Sequence, residues 1–294
     1  MKIVLPNKLM SDYSGFSFLA KLSCELEVAM FNNVELSFEN NTWFEANLCA
    51  VLGAIINKSQ GDLNDFIFTD IQPKQRNILS KNHFLASFGG VKIEDGFNTT
   101  IKYRKSKISD EKLIHEYLFR ELLGKEDFPK LSIGLTKEIE RSIFEIYSNA
   151  IIHGGSENIY SCGQHFPNKI PARVDFTIVN MGTTIKENVV KHLNTLISGK
   201  DAIEWAVKER NTTKPKTENI PGGLGLKIIQ EFAKLNNGKI QIISDNGYWQ
   251  FTPNGIHSNT IPYPFKGTIV NMEFNLDDKS SYFLSSEQDQ EIVF

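Results

Sequence analysis

The chain has 294 residues, 40% of them hydrophobic and 23% charged, with a formal net charge of -3. That is enough chain for one or two domains, two being the expectation, with an ordinary globular composition and no general field to attract nucleic acid. Its three cysteines, Cys24, Cys49 and Cys162, are too few and too scattered for a disulfide framework, and no apolar run approaches the roughly 18 residues of a membrane span. Without a leader-like segment at Met1, the cytoplasm is the expected compartment.

VELSF (34–38) reads as a strand and WFEANLCAVLGAIINKS (43–59) as a helix, with Trp43, Leu48, Val51, Leu52, Ile55 and Ile56 at helical spacing. DFIFTDI (65–71) is the next strand, so a small α/β unit with a crossover helix is predicted. The stretch 89–107 is turn-rich and reads as a hairpin, and a domain boundary is placed near Ser106, giving units 1–106 and 107–294. Two helices follow, 110–124 and 135–154, the second with Thr136 opening a capping box and Gly154 supplying a stop. Beyond them come the strand ARVDFTIVN, a polar connection from Thr183 to Ile220, the helix LGLKIIQEFAKLN, and the strands GKIQIIS, YWQFTP and GTIVNMEFNL. The predicted class is α/β (α+β), the second unit being an α/β sandwich on a mixed, largely antiparallel sheet.

Within FEIYSNAIIHGG (144–155), Glu145, Asn149 and His153 recur every four residues and share one helical stripe, drifting about 40° per step. Ile143, Phe144, Tyr147, Ala150 and Ile151 give the same helix an apolar face, so the polar stripe borders the core. Alone, this spacing reads first as a wet helix face, and other features must raise it to a site. FTIVNMGTTI (176–185) puts Asn180 and Gly182 at a strand end, and IPGGLGLKII (220–229) puts Gly222, Gly223, Leu224 and Gly225 at a helix start, where outward amides favour phosphate.

In this order the motifs resemble the ATP-binding domain of gyrase B, heat-shock chaperones, histidine kinases and MutL, the GHKL or Bergerat fold, over about Ser109–Leu276. The helix motif is similar to its N box, FTIVNMGTTI to its first glycine box and GGLGL to its second. The resemblance implies ATP and Mg²⁺ as cofactors: Asn149 on the metal, Glu145 orienting an attacking water or hydroxyl, and His153 in a supporting role. It further implies Gly182 giving the base access to the backbone, and Gly223 and Gly225 cradling phosphates. The connection of about 183–221 would be the lid, with Thr212, Thr213 and Lys214 placed to grip the γ-phosphate. The sequence departs from the family in two places. Asn180 stands where the family has aspartate, exchanging a charge-assisted hydrogen bond of about 1.5–3 kcal/mol for a neutral one nearer 1 and leaving GTP open beside ATP. Thr184 replaces the second glycine of that box.

More loosely, residues 1–106 resemble the STAS domain of anti-sigma-factor antagonists, with Glu45, Ala46 and Asn47 where a phosphorylatable serine would stand and Thr42 as the nearest hydroxyl. The function implied is an Mg-dependent, ATP-binding regulator, a slow ATPase or nucleotide-gated switch acting on a protein partner. A serine kinase of the anti-sigma type and a non-catalytic module with a degenerate pocket are the alternatives. A homodimer stays open, and no nucleic-acid or membrane partner is expected. Cys162 with His165 offers half a zinc-site spacing without a second pair, and His115 sits on a segment too short for a phosphoacceptor hairpin.

Overall fold

The structure, a computed structural model, describes residues 1–152, 154–208 and 224–288. The first part of the chain runs β1 (Lys2–Val4), β2 (Lys8–Leu9), α1 (Tyr13–Glu27), β3 (Asn33–Ser37), β4 (Trp43–Phe44), α2 (Cys49–Gly61), β5 (Asp65–Thr69) and α3 (Pro73–Lys81). The second runs β6 (Thr100–Ser106), α4 (Glu111–Leu118), β7 (Lys130–Leu131), α5 (Ile133–Ile152), β8 (Ile159–Phe166), β9 (Arg173–Met181), α6 (Ile185–Leu193), α7 (Gly199–Ala206), α8 (Leu224–Leu235), β10 (Lys239–Thr252) and β11 (Gly255–Asn275). A parallel sheet ordered β1-β3-β5 belongs to the first part, and an antiparallel sheet ordered β10-β11-β9-β8-β6 to the second. No helix among the described residues is long and apolar enough to cross a membrane.

The five-stranded sheet is covered on both faces. On one side Val174, Phe176 and Ile178 of β9 share a core with Ile139, Ile143 and Tyr147 of α5 and with Ile229 and Phe232 of α8. On the other, α1 and α2 lie against β11, β8 and β9, and Val179 joins a core made mostly of residues before Tyr103. A strand's side chains alternate between faces, so β9 offers Arg173, Asp175 and Thr177 to the first part of the chain.

These buried polar groups find partners there. Asn47 Nδ2 lies 2.7 Å from Ser11 Oγ, 2.9 Å from Thr177 Oγ1 and 3.0 Å from Asn271 Oδ1, and Asn271 in turn donates to Gln241 at 2.9 Å. Arg173 donates to Glu45 at 2.7 Å and pairs with Asp175 at 3.2 Å, while Lys239 pairs with Glu273 at 2.8 Å. Burial first, and the Glu273 carboxylate second, push Asp175 up to about 8 against the pull of Arg173. With Asp175 protonated, two cations face two carboxylates.

Several expectations are corrected. The helix placed at 43–59 begins at Cys49, because Trp43–Phe44 pair with Lys8–Leu9 and a 3-10 turn takes Ala46–Leu48. Helix α1, unpredicted, is capped by Asp12 accepting from Gly15 N at 2.8 Å. Segment 89–107 holds no hairpin: only Thr100–Ser106 is extended, and it pairs with β8. The boundary near Ser106 therefore falls at the end of a strand that belongs to the larger sheet. GKIQIIS and YWQFTP are one strand, β10, which passes through an irregularity at Ser244–Gly247, and the sheet they join is wholly antiparallel. Helix α5 starts at Ile133, with Ser132 Oγ accepting from Leu135 N at 3.1 Å, so the cap is Ser132 and not Thr136. The 183–220 connection carries α6 and α7 in its described part.

Two outcomes are expected. A chain beginning at residue 107 lacks β6 and the cover on one sheet face, so it should show no cooperative thermal transition by circular dichroism, whereas the full chain should show a single one; a cooperative melt of the fragment would refute the shared core. Asp175→Asn tests the charge balance. A carboxyl whose folded pKa is raised from the ordinary 3.8 to about 8 contributes stability that is full below the lower value and is lost as pH rises through the higher one. The Asn variant should thus gain on wild type in urea melts as pH goes from 4 to 8, and parallel pH profiles would show Asp175 to be ionised throughout.

Candidate functional site

The C-terminal end of α5, the turn after it and the end of β9 meet at one corner. Glycines make the approach feasible. A Cβ at Gly154 would overlap Asn180 Nδ2 and the Ala150 carbonyl, and a Cβ at Gly182 would overlap the Gly154 carbonyl. Gly182 has φ +152° and Gly155 φ +60°, backbone that side-chain-bearing residues rarely adopt. Thr183 N donates to Gly154 O at 2.8 Å and Gly182 N to Lys266 O at 3.1 Å, closing the corner.

Asn180 sits on the α5 side of β9, 3% exposed, with its backbone paired between Thr268 of β11 and Ile159 of β8. Its Nδ2 is buried and without a hydrogen-bond partner. Leaving such a donor unpaired costs about 1–3 kcal/mol, so a group that supplied an acceptor here would recover that penalty.

Glu145 and Asn149 are half-buried on α5, one turn apart, and neither side chain has a hydrogen-bond or ion-pair partner among the described residues. A free carboxylate and a free amide oxygen, spaced about 6 Å along the axis, can serve an oxygen-seeking cation and a water at once. Thr184 does different work. It is the N-cap of α6, its hydroxyl accepting from Glu187 N at 3.1 Å while its own N donates to Glu187 Oε2 at 2.6 Å, and it is 3% exposed. The threonine at this position is thus accounted for by the helix it starts.

Leu224 and Gly225 open α8, which packs along α5. His153, Thr212, Thr213, Lys214, Gly222 and Gly223 lie outside the described residues. The first glycine turn and the α5 stripe are therefore brought together, and of the second only its last two members are placed.

The other candidates have structural roles. His115 hydrogen-bonds Glu140 at 2.8 Å and stacks on Phe144 with ring centroids 4.6 Å apart. His165 bonds Asp127 at 3.1 Å, Cys162 is held by Asn82, and no metal-holding cluster occurs among the described residues. Glu45, Ala46 and Asn47 face the larger sheet, Ala46 N donating to Gln164 Oε1 at 2.7 Å. Comparison with known protein families and with characterised proteins returned no match to this chain.

The expected ranking of two substitutions checks the corner. Thr184→Ala should cost about 1 kcal/mol through loss of the cap, and Gly182→Ala more, because its methyl meets a backbone carbonyl that has no room to move. Urea denaturation of both variants measures this, and a Gly182→Ala protein as stable as wild type would mean the corner is open.

Proposed function

We propose that the chain is a magnesium-dependent ATP-binding regulatory protein of the cytoplasm, with a nucleotide domain of the GHKL type and a STAS-like first part that docks on it. The observation that carries this reading is the orphaned, buried Nδ2 of Asn180 between Gly154 and Gly182. A donor in that place asks for an acceptor, and a purine offers one as a ring nitrogen or a carbonyl oxygen. Gly154 and Gly182 let the turn after α5 press against the end of β9 beside that amide, so a base reaches it only as the turn yields.

In this reading Asn180 orients the base, and Gly182, without a side chain, stands at the turn that must make way for it. Asn149 supplies an oxygen to the cation, which needs few protein ligands when phosphates and waters complete its shell. When bound, Mg²⁺ neutralises phosphate charge and draws electron density from the terminal phosphoryl group. Glu145, unpaired and one turn before Asn149, holds a water or hydroxyl and accepts its proton. Turnover is slow, since Glu145 is half exposed until a segment closes over it.

Asn180 weakens discrimination between purines. Its amide can donate to guanine O6 and accept from N1–H, a pair that aspartate would repel. ATP is favoured by the family pattern, with GTP as the measured competitor.

Calorimetric titration of Mg-ATP and of Mg-GTP into the full chain, beside Asn149→Ala and Glu145→Gln, tests the proposal. The expected outcome is saturable ATP binding that weakens at least about tenfold, or 1.4 kcal/mol, in Asn149→Ala. Glu145→Gln should bind ATP normally and lose phosphate release. Absence of heat with either nucleotide at two temperatures would overturn the reading and favour a docking module.

A further inference from the structure

A cavity of about 570 Å³ opens where the first part of the chain meets the edge of the larger sheet. Five cations line it: Lys81 at the end of α3, Lys92 in the following loop, Lys102 on β6, and Arg120 and Lys125 on and after a π-turn at Phe119–Leu123. Three acids share the lining, so it carries two surplus positive charges in a chain whose total is -3. Asp95 is spent on Lys81 at 3.5 Å and on the Thr100 amide and hydroxyl at 2.7 and 2.8 Å. Glu121, its side chain 6% exposed, is shared between Lys102 at 3.5 Å and Arg120 at 3.1 Å. Neither Lys92 nor Lys125 has a carboxylate within ion-pair distance among the described residues, Lys125 acting on Asp127 only from farther off, and the third acid, Glu94, pairs with neither.

The frame around these charges is rigid. Asn82, fully buried, donates to Cys49 and Cys162 and accepts from Phe84 N at 3.0 Å, while its carbonyl accepts from Tyr103 N at 2.7 Å. This fixes its neighbour His83 at φ +64° on the cavity wall, a backbone state that costs energy for a side chain of this size. Burial, then Lys102 and Lys92, lower the His83 pKa, as expected beside excess positive charge. The π-turn sets Arg120 and Glu121 on the cavity wall, an irregularity often found at binding sites.

We propose that this cavity binds a small soluble molecule through a phosphate monoester or diphosphate group, held by Lys92, Lys125 and the surplus charge on Lys102 and Arg120. Its volume falls in the usual range of small-molecule sites, about 300–1,000 Å³. Convergent ammonium and guanidinium groups of this number select multivalent oxyanions over monovalent ones. It is separate from the nucleotide corner. On β8, Gln164 stands beside Thr100 of the cavity and Ile159 beside Asn180, five residues or about 17 Å along the strand.

Inorganic pyrophosphate, titrated calorimetrically without magnesium, is the probe. Lys92→Glu/Lys125→Glu reverses the unpaired charges, and Lys8→Glu/Lys58→Glu makes the same change at two exposed lysines elsewhere. Saturable binding to the wild-type chain should fall about tenfold or more in the first variant, and persist in the second and in Asn149→Ala. Thermal melts of each variant establish that the fold is kept. No saturable binding, equal loss in both lysine pairs, or loss in Asn149→Ala would each overturn the proposal, the last by placing the anion at the nucleotide corner.

Discussion

The polar face of β9 is the constraint on which the rest of the molecule depends. Arg173, Asp175 and Thr177 alternate with Val174, Phe176 and Ile178, and both sets are needed where they are. The apolar set anchors α5 and α8. The polar set, once covered, must be paired, because a desolvated charge or hydroxyl without a partner costs more than its packing returns. Glu45 and Asn47 provide that pairing from the first part of the chain, with Ser11 joining from the start of α1. A one-residue slip of β9 would exchange the two faces and bury Arg173 among isoleucines. The first part thus fixes the strand that carries Asn180.

That fixation matters at the corner. Asn180 is held by neighbours on either side, in the middle strand of five, and a Cβ at Gly267 would overlap its carbonyl. The strand cannot shift to give the Asn180 amide a partner. A polar group held unpaired by a well-determined frame differs from a loose side chain that water can reach, and it is the kind of preorganisation that a binding site uses.

How much of this was legible follows from the range of the interactions. Helix α5 was readable because Ile139, Ile143, Tyr147 and Ala150 repeat its period locally, and β3 and β5 because they are short apolar runs between turns. Helix α1 carries the same period in the sequence, in Phe16, Leu19, Ala20, Ser23 and Leu26. The start of α2 was not legible: Trp43 has helical spacing to Leu48 and Val51, but its backbone is claimed by Lys8, thirty-five residues earlier. In β10 the sequence Ser-Asp-Asn-Gly has turn composition, yet the ladder with β11 continues past it. Arg173 and Asp175 look like a solvent face until Glu45 and the 3-10 turn at Ala46–Leu48 meet them.

The order of the site's motifs could be read, whereas the state of its atoms could not. Nothing in FTIVNMG says that Gly154 will press on the Asn180 amide, since that contact joins two segments nearly thirty residues apart. Thr184 shows the same limit from the other side. Its hydroxyl oxygen is held at the start of α6 by the capping box with Glu187, a role that its place in FTIVNMGTTI does not announce. Residue identity proposes a ligand; the remaining hydrogen-bond capacity decides whether one can be held. By that measure Glu145 and Asn149 keep whole side chains without a partner among the described residues and Asn180 an unpaired amide, whereas the Thr184 oxygen is already engaged at the start of α6.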